Sequence, residues 1–307
     1  MDIRKPILVT GSHRSGTTWV GKMLSLSPEV AYIREPFHPS HRFGVCNAKF
    51  NYWFTYINDK NESLYLQDIA RMLEFKYNLK REIKSVRSPS HIIRMVRDYY
   101  SFSKSRNSNL RPLLKDPIAL FSAEWLYKTF NMDVVVLIRH PAAFASSLKR
   151  MKWTHPFSDF LDQKLLIEDI LHPFEDEILK FAKDEQDIID QAILLWRLVY
   201  YIVSQYKKKY KNWIFLKHED ISRAPLHYFE LLFNRLNLEF TSKVKKVIME
   251  YSSPKNPKDI KKKSDSIKRH SRANIWNWKT RLTKAEINII KEKVGDIAET
   301  FYSDKDW

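Results

Sequence analysis

Cysteine, glycine and long apolar runs are all scarce in this sequence of 307 residues. One cysteine, Cys46, excludes an intrachain disulfide, so folding needs no oxidising compartment. The longest apolar stretch, Ala192 to Val203, is broken by Arg197 and is too short to cross a bilayer. The opening Met1-Asp2-Ile3-Arg4-Lys5 reaches Thr10-Gly11 after only a few apolar residues, which does not read as a secretory signal. A soluble protein of a reducing compartment is the expectation. Acidic residues number 36 against 53 lysines and arginines, a formal net charge of +17. That excess favours a polyanionic partner: a nucleotide, a nucleic acid, an acidic glycan or a membrane surface. With 44% hydrophobic and 29% charged residues, the composition excludes overall disorder. No internal repeat and no linker divides the chain, so one domain over residues 1–307 is expected.

Average usage would place roughly 20 glycines in this length, yet there are five, and Gly11, Gly16 and Gly21 fall within eleven residues. A chain that avoids glycine and then spends three at one turn needs unusual backbone freedom there. Around that turn, apolar β-branched runs alternate with helical spacings. Strands are expected at 6–10, 30–33, 110–114, 133–138 and 213–217. Helices are expected near 17–25, 63–79, 89–104, 118–130, 184–209, 225–236 and 283–301. Pro141 is placed to open a helix after the fourth strand. Alternation of this kind specifies an α/β fold, a central parallel sheet flanked by helices. Residues 38–62 are polar, aromatic and aperiodic, and 255–272 read as a basic, mobile surface loop.

Gly11-x4-Gly16-Thr17-Thr18 joins a strand to a helix, the spacing of a loop whose backbone N–H groups cradle phosphate oxygens. A nucleoside triphosphatase places lysine after the second glycine. Here Thr17 stands there, and the nearest cation is Arg14 inside the loop. This argues against a P-loop kinase, as does the absence of a persuasive magnesium-binding aspartate after an apolar strand. A second arrangement follows the clearest strand: Arg139-His140-Pro141, then Ser147 eight residues after the arginine. A guanidinium fork at a strand end and a hydroxyl on the next helix can meet one phosphate dianion. Alone, Arg139 reads equally as a surface cation beside a helix.

The words Gly-Ser-His-Arg-Ser-Gly-Thr-Thr-Trp at residues 11–19 closely resemble the 5′-phosphosulfate loop of sulfotransferases that use 3′-phosphoadenosine 5′-phosphosulfate. Val134 to Pro141 with Ser147 resembles the 3′-phosphate site of the same family. Both occur in the family's order, about 125 residues apart. The Arg-Ser-Gly-Thr-Thr wording is similar to the glycan-modifying, protein-tyrosine-modifying and bacterial branches. The resemblance implies a P-loop-like sulfotransferase fold. It implies that Arg14 contacts the sulfuryl group and that His13, Ser15, Gly16, Thr17, Thr18 and Trp19 belong to the donor loop. It further implies that Arg139 and Ser147 hold the 3′-phosphate. Leu216-Lys-His-Glu-Asp-Ile221 with Pro225 resembles a later family segment in which a tyrosine lies near adenine; His218 takes its place here. Ser271-Arg272 with Trp276, Trp278 and Lys279 resembles the segment that closes over the donor, with Arg272 as a 3′-phosphate contact. Trp276 and Trp278 read equally as core.

On the acceptor side, Glu35 follows the second strand, 21 residues after Arg14. Its setting resembles the protein-tyrosine sulfotransferases, in which the equivalent glutamate is the base. The plainer reading is a pair with Arg34. Lys115 ends a strand and resembles the family lysine facing the bridging oxygen. The catalytic histidine of the small-molecule branch would stand at Pro117, which leaves Glu35 as base, with Asp116 and His13 as the other candidates. No metal is required, because arginine and lysine supply the positive charge. The acceptor expected from the resemblance is a carbohydrate hydroxyl, with a tyrosine or phenolic acceptor as the alternative. From another class, the net charge alone would fit a basic nucleic-acid-binding protein, but no zinc spacing, helix-turn-helix or aromatic RNP motif accompanies it. The resemblance points to a soluble bacterial member, cytoplasmic, with contact at the inner membrane surface as an option. Phe50 to Tyr56 could stack on sugar rings or pack a loop. The basic residues of 78–111 could attract an anionic glycan or keep the protein soluble.

Overall fold

Short apolar runs without a polar face become strands covered on both sides. The computed structural model describes residues 4–259 and 267–307. Its strands are β1 (Ile7–Gly11), β2 (Val30–Arg34), β3 (Arg111–Lys115), β4 (Asp133–Ile138) and β5 (Ile214–Lys217). They form a five-stranded sheet in the order β2-β3-β1-β4-β5. The β1–β3, β2–β3 and β4–β5 ladders are all parallel. The backbone separates into two units, one of residues up to Thr10 with Pro28–Val134, the other of Gly11–Ser27 with Val135–Trp307.

In the first unit, Lys115 pairs in register with Val9 on one side and Arg34 on the other. The residue after β2, Glu35, has a positive φ of 47° and donates its N–H to the Lys115 carbonyl at 2.9 Å. The turn out of β2 is therefore fixed to the end of β3. Asp116 fastens it further. It is fully buried, and its carboxyl oxygens accept from Phe37 N at 2.7 Å and from Ile118 N at 3.1 Å. The second bond caps a 3₁₀ turn, Pro117–Ser122, which replaces the first part of the helix expected from 118 and leaves Ala123–Phe130 helical. Burial pushes the Asp116 carboxyl up to about 7, ahead of the Phe37 N–H bond that lowers it.

The helix expected over 63–79 is two helices, Leu66–Leu73 and Leu79–Ile83. Phe75 between them sits at φ 54°, a left-handed conformation that ends a helix. Residues 38–62 are irregular, and aromatic stacking holds them. Phe50 stacks on Phe37 with centroids 4.4 Å apart, and Phe54 meets Phe121 at 5.0 Å. Phe50 and Phe54 are buried, so these two rings pack the unit's core.

In the second unit, Pro141 does open a helix, Pro141–Met151. The helix expected at 184–209 begins at Ile188, because the Asp187 side chain caps it by accepting from Ile189 N at 2.7 Å. It runs to Lys209 and buries Trp196 and Tyr200 completely. β5 passes at once into a helix, His218–Arg223, that precedes the expected Pro225–Arg235. Two further helices, Glu175–Lys183 and Ser242–Ser252, carry no motif and were not anticipated. Of the stretch 255–272, residues 260–266 lie outside the described residues. Ser271–Asn274 is helical, with Ser271 Oγ donating to the Ser222 carbonyl at 2.9 Å. Among the described residues, no helix is long and apolar enough to cross a membrane.

The Tyr200 hydroxyl makes two bonds. It accepts from Arg139 N at 2.8 Å and pairs with Ser12 Oγ at 2.8 Å. Tyr200→Phe strands both partners in a buried place, so urea unfolding should show a loss of about 1–3 kcal/mol. A fully stable variant would mean that neither bond matters. For Asp116, the folded protein holds a proton between its ordinary value of 3.8 and about 7 that the unfolded chain releases. Its contribution to stability therefore falls as pH rises through that window. Asp116→Asn should flatten the pH dependence of stability there, at a cost of about 1 kcal/mol or more from the lost acceptor. Denaturation curves with an unchanged slope would refute the assignment.

Candidate functional site

The loop after β1 is shaped by two glycines that no other residue could replace. Gly11 has φ 142°, and a Cβ there would meet the Leu137 carbonyl oxygen at 2.4 Å. Gly16 has φ 98°, and a Cβ there would meet His218 Nδ1 at 2.5 Å. Between them Arg14 takes φ 66°. Ser15 closes the turn on Ser12: its N–H reaches the Ser12 carbonyl at 3.2 Å and its Oγ donates to the same oxygen at 2.6 Å. The helix Thr17–Leu24 then begins at Gly16, with no side chain capping its first N–H groups. Those groups have no partner within a helix, and the dipole makes the end positive. An anion is the natural complement.

The second sequence arrangement meets this loop. Arg14 Nε donates to Ser147 Oγ at 2.9 Å, across 133 residues of chain. Arg139 is almost wholly buried at the end of β4. Its carbonyl accepts from Trp196 Nε1 at 2.9 Å, and its Nε lies 3.7 Å from Glu219 Oε1. Its Nη1 is buried with no hydrogen-bond partner. Glu219 is held in turn by Tyr302, whose hydroxyl donates to Oε2 at 2.9 Å. Tyr200, Glu219 and Tyr302 were not singled out in the sequence. Only Glu219 left a trace there, as part of the Lys-His-Glu-Asp segment.

Arg14 sits among cations. Burial lowers its pKa, and the charges of Arg139, Arg150, Arg269 and Arg281 lower it further. Asp259 pairs with Arg150 and, at 2.8 Å, with Arg281. A phosphate or sulfonate completes such a group electrostatically. The orphaned Arg139 Nη1, the uncapped helix end and this gathered positive charge fit a ligand bearing more than one anionic group. Arg272 donates its Nε to the Arg223 carbonyl at 3.0 Å, and Arg269 and Arg281 are the C-terminal arginines whose charge reaches Arg14. His218 packs against the loop at Gly16 and meets the Trp19 ring edge-on at 6.2 Å. The His218 Nε2 and Trp19 Nε1 atoms are buried without a hydrogen-bond partner. His13 is half-buried beside Phe144, and loss of solvation followed by the Arg14 charge lowers its pKa to about 4. His140 stacks on Trp278 with centroids 5.1 Å apart, so that tryptophan is core.

The first unit carries the other group of candidates. Lys115, fully buried, forms an ion pair with Glu35 through Nζ and Oε1. Burial lowers the Lys115 pKa, and the Glu35 carboxylate opposes that effect. Glu35 also lies 3.8 Å from Arg34 Nε, and its side chain keeps 30% of its surface exposed. Tyr32 lies on the same strand; its buried hydroxyl has no hydrogen-bond partner, and burial raises its pKa.

Residues 6–242 match the sulfotransferase family. Solved structures similar to this chain include the sulfotransferase domain from the Synechococcus PCC 7002 olefin synthase, at 14% identity and a TM-score of 0.49, covering 99% of this chain and 98% of that one. Sulfotransferase STF9 from Mycobacterium avium matches at 12% identity and a TM-score of 0.48, covering 98% of this chain and 78% of that one. Sulfotransferase STF1 from Mycobacterium tuberculosis H37Rv matches at 15% identity and 0.45, covering 96% and 77%. No curated protein matches in sequence. The family match takes in the glycine loop, the Arg139–Ser147 arrangement and the Glu35 and Lys115 strand ends, over well over half of the residues, and the chain belongs to the sulfotransferase family.

Proposed function

We propose that the chain transfers a sulfuryl group from 3′-phosphoadenosine 5′-phosphosulfate to a hydroxyl of a carbohydrate, as part of a polysaccharide, a glycolipid or a glycosylated metabolite. The observation that carries the donor half is the Arg14–Ser147 hydrogen bond of 2.9 Å. It joins the loop that suits a 5′-phosphate to the arrangement that suits a 3′-phosphate. Ser15, Gly16, Thr17 and Thr18 hold the 5′-phosphate with N–H groups and hydroxyls. Arg139 and Ser147 hold the 3′-phosphate, with Arg272 contributing from the C-terminal segment. His218, Trp19 and His13 shape the walls of the nucleotide site. Arg14 faces the sulfuryl group, where its charge is worth most as negative charge builds on the transferring oxygens.

For the acceptor half, Glu35 takes the proton of the attacking hydroxyl. The acceptor oxygen bonds to sulfur as the bond from sulfur to the bridging phosphate oxygen breaks. Lys115 stabilises the charge that develops on that bridging oxygen. The leaving group is 3′-phosphoadenosine 5′-phosphate. Of the three base candidates, Glu35 is supported by its exposure and position. Asp116 is fully buried with both oxygens engaged by backbone N–H groups. His13, at about 4, is too weakly basic to compete. The glutamate base and the wording of the loop suit a sugar hydroxyl and a phenolic hydroxyl alike, so a screen with labelled donor takes both classes of acceptor.

Thermal shift should show stabilisation by 3′-phosphoadenosine 5′-phosphate that ATP does not match. Arg139→Ala and Ser147→Ala should each weaken that binding by about tenfold or more, the loss of a charge-assisted bond. Equal stabilisation by ATP, or unaltered affinity in Arg139→Ala, would overturn the donor assignment. Glu35→Gln should cut turnover with labelled donor by about 10²–10⁴-fold while donor affinity stays unchanged. Full turnover in that variant would remove Glu35 from the chemistry.

A further inference from the structure

The helix Pro89–Asn107 uses only one face to join its unit. Phe102 and Ser105 are its buried residues. Phe102 meets Phe75 at 5.7 Å and Tyr77 at 5.5 Å, and Asp98 on the same side pairs with Arg42. The opposite face carries a second apolar stripe. Ile92, Val96 and Tyr100 recur at the four-residue spacing of one helix face, with Ile93 beside them. They are 48%, 58%, 69% and 71% exposed, respectively. Ile83, in the short helix just before, is 54% exposed. Four clustered aliphatic and aromatic side chains left in water are not needed to fold this unit, whose core lies on the other side.

Charge surrounds that stripe. From Leu79 to Asn107 there are eight lysines and arginines and two acids, Glu82 and Asp98. Arg42 engages both acids, and Asp98 also pairs with Arg97 at 3.1 Å, so of these cations it is Arg97 whose charge an acid shares. Lys80, Arg81, Lys84, Arg87, Arg94, Arg97, Lys104 and Arg106 are all exposed. On the helix itself, Arg97 and Lys104 flank the stripe on one side and Arg106 on the other, by the 100° step of an α-helix, with Arg94 further round on the side of Arg97.

We propose that this face docks on an anionic phospholipid bilayer, with Ile92, Ile93, Val96 and Tyr100 entering the headgroup boundary and the flanking arginines and lysines meeting lipid phosphates. An apolar face bordered by cations, on a helix too polar to insert across the membrane, is what an interfacial helix requires. A nucleic acid would use the cations but gain nothing from the exposed aliphatic side chains. A second copy of the chain would use the stripe but bring two sets of eight cations together. A bilayer satisfies both features at once. The inference does not rest on the sulfotransferase chemistry, and its test does not read activity.

The test is co-sedimentation of the whole chain with vesicles of phosphatidylcholine, with and without phosphatidylglycerol. Binding is expected only to the vesicles containing phosphatidylglycerol. The triple variant Ile93→Ser, Val96→Ser, Tyr100→Ser should reduce it by about tenfold or more, and Arg94→Glu with Lys104→Glu should do the same. Both variants should keep the parent's melting temperature and its affinity for 3′-phosphoadenosine 5′-phosphate, since every substituted residue is exposed. Any of three results would overturn the proposal. One is absence of vesicle binding by the parent chain. Another is vesicle binding that the serine variant retains in full, which would mark a purely ionic surface. The third is a parent dimer in sedimentation velocity that the serine variant dissociates, which would assign the stripe to a second copy.

Discussion

One buried hydroxyl ties the glycine loop to the end of β4. Tyr200 hangs from the longest helix and bonds both Ser12, at the start of the glycine loop, and the backbone N–H of Arg139, where β4 ends. Polar groups shut away from water must find partners, and this one satisfies two segments far apart in sequence. With Trp196 binding the Arg139 carbonyl from one turn earlier on the same helix, the Arg139 backbone is held on both sides. Its side chain lies beside Glu219 through Nε and leaves Nη1 buried without a hydrogen-bond partner.

The second constraint is like charge. Arg14, Arg139, Arg150, Arg269 and Arg281 are close enough to lower the pKa of Arg14 together. Folding brings such groups together against their mutual repulsion, which an anion relieves. The loop glycines allow close packing, because their lack of a side chain lets Leu137 and His218 approach the loop backbone. In the other unit the logic is different. Parallel pairing with β3 brings Glu35 to Lys115, and the buried Asp116 carboxyl fixes the turn that carries Glu35. Electrostatics there is a pair and a clamp, not a gathering of one sign.

The helix Pro89–Asn107 shows how one element can serve two surfaces. Its inward residues complete an aromatic cluster with Phe75 and Tyr77. Its outward residues do nothing for the core, and their combination of aliphatic side chains and arginine makes sense only against something both apolar and anionic. The positive balance of the chain thus gathers in two places, around Arg14 and along residues 79–107.

The local pattern of residues determined a good deal by itself. Apolar β-branched runs marked the strands at 7–11, 30–34 and 133–138, where burial on both faces leaves no polar alternation, and shorter apolar runs marked the other two. Pro141 marked a helix start, and the spacing of Gly11, Gly16 and Thr17 marked the loop, since only glycine tolerates those backbone angles. The resemblance of the surrounding words then pointed to the sulfotransferase family. Tertiary structure alone decided the rest. Phe75 in a left-handed conformation split one expected helix, and Ser222 drew Ser271 into a short helix where a loop was expected. Tyr200, Tyr302 and the arginines at 150, 269 and 281 carry no local signature. They are ordinary residues of ordinary helices or loops until folding sets them beside Arg14 or Arg139. Which cations surround Arg14, and which hydroxyl binds two strand ends, are long-range contacts that no spacing along the chain encodes.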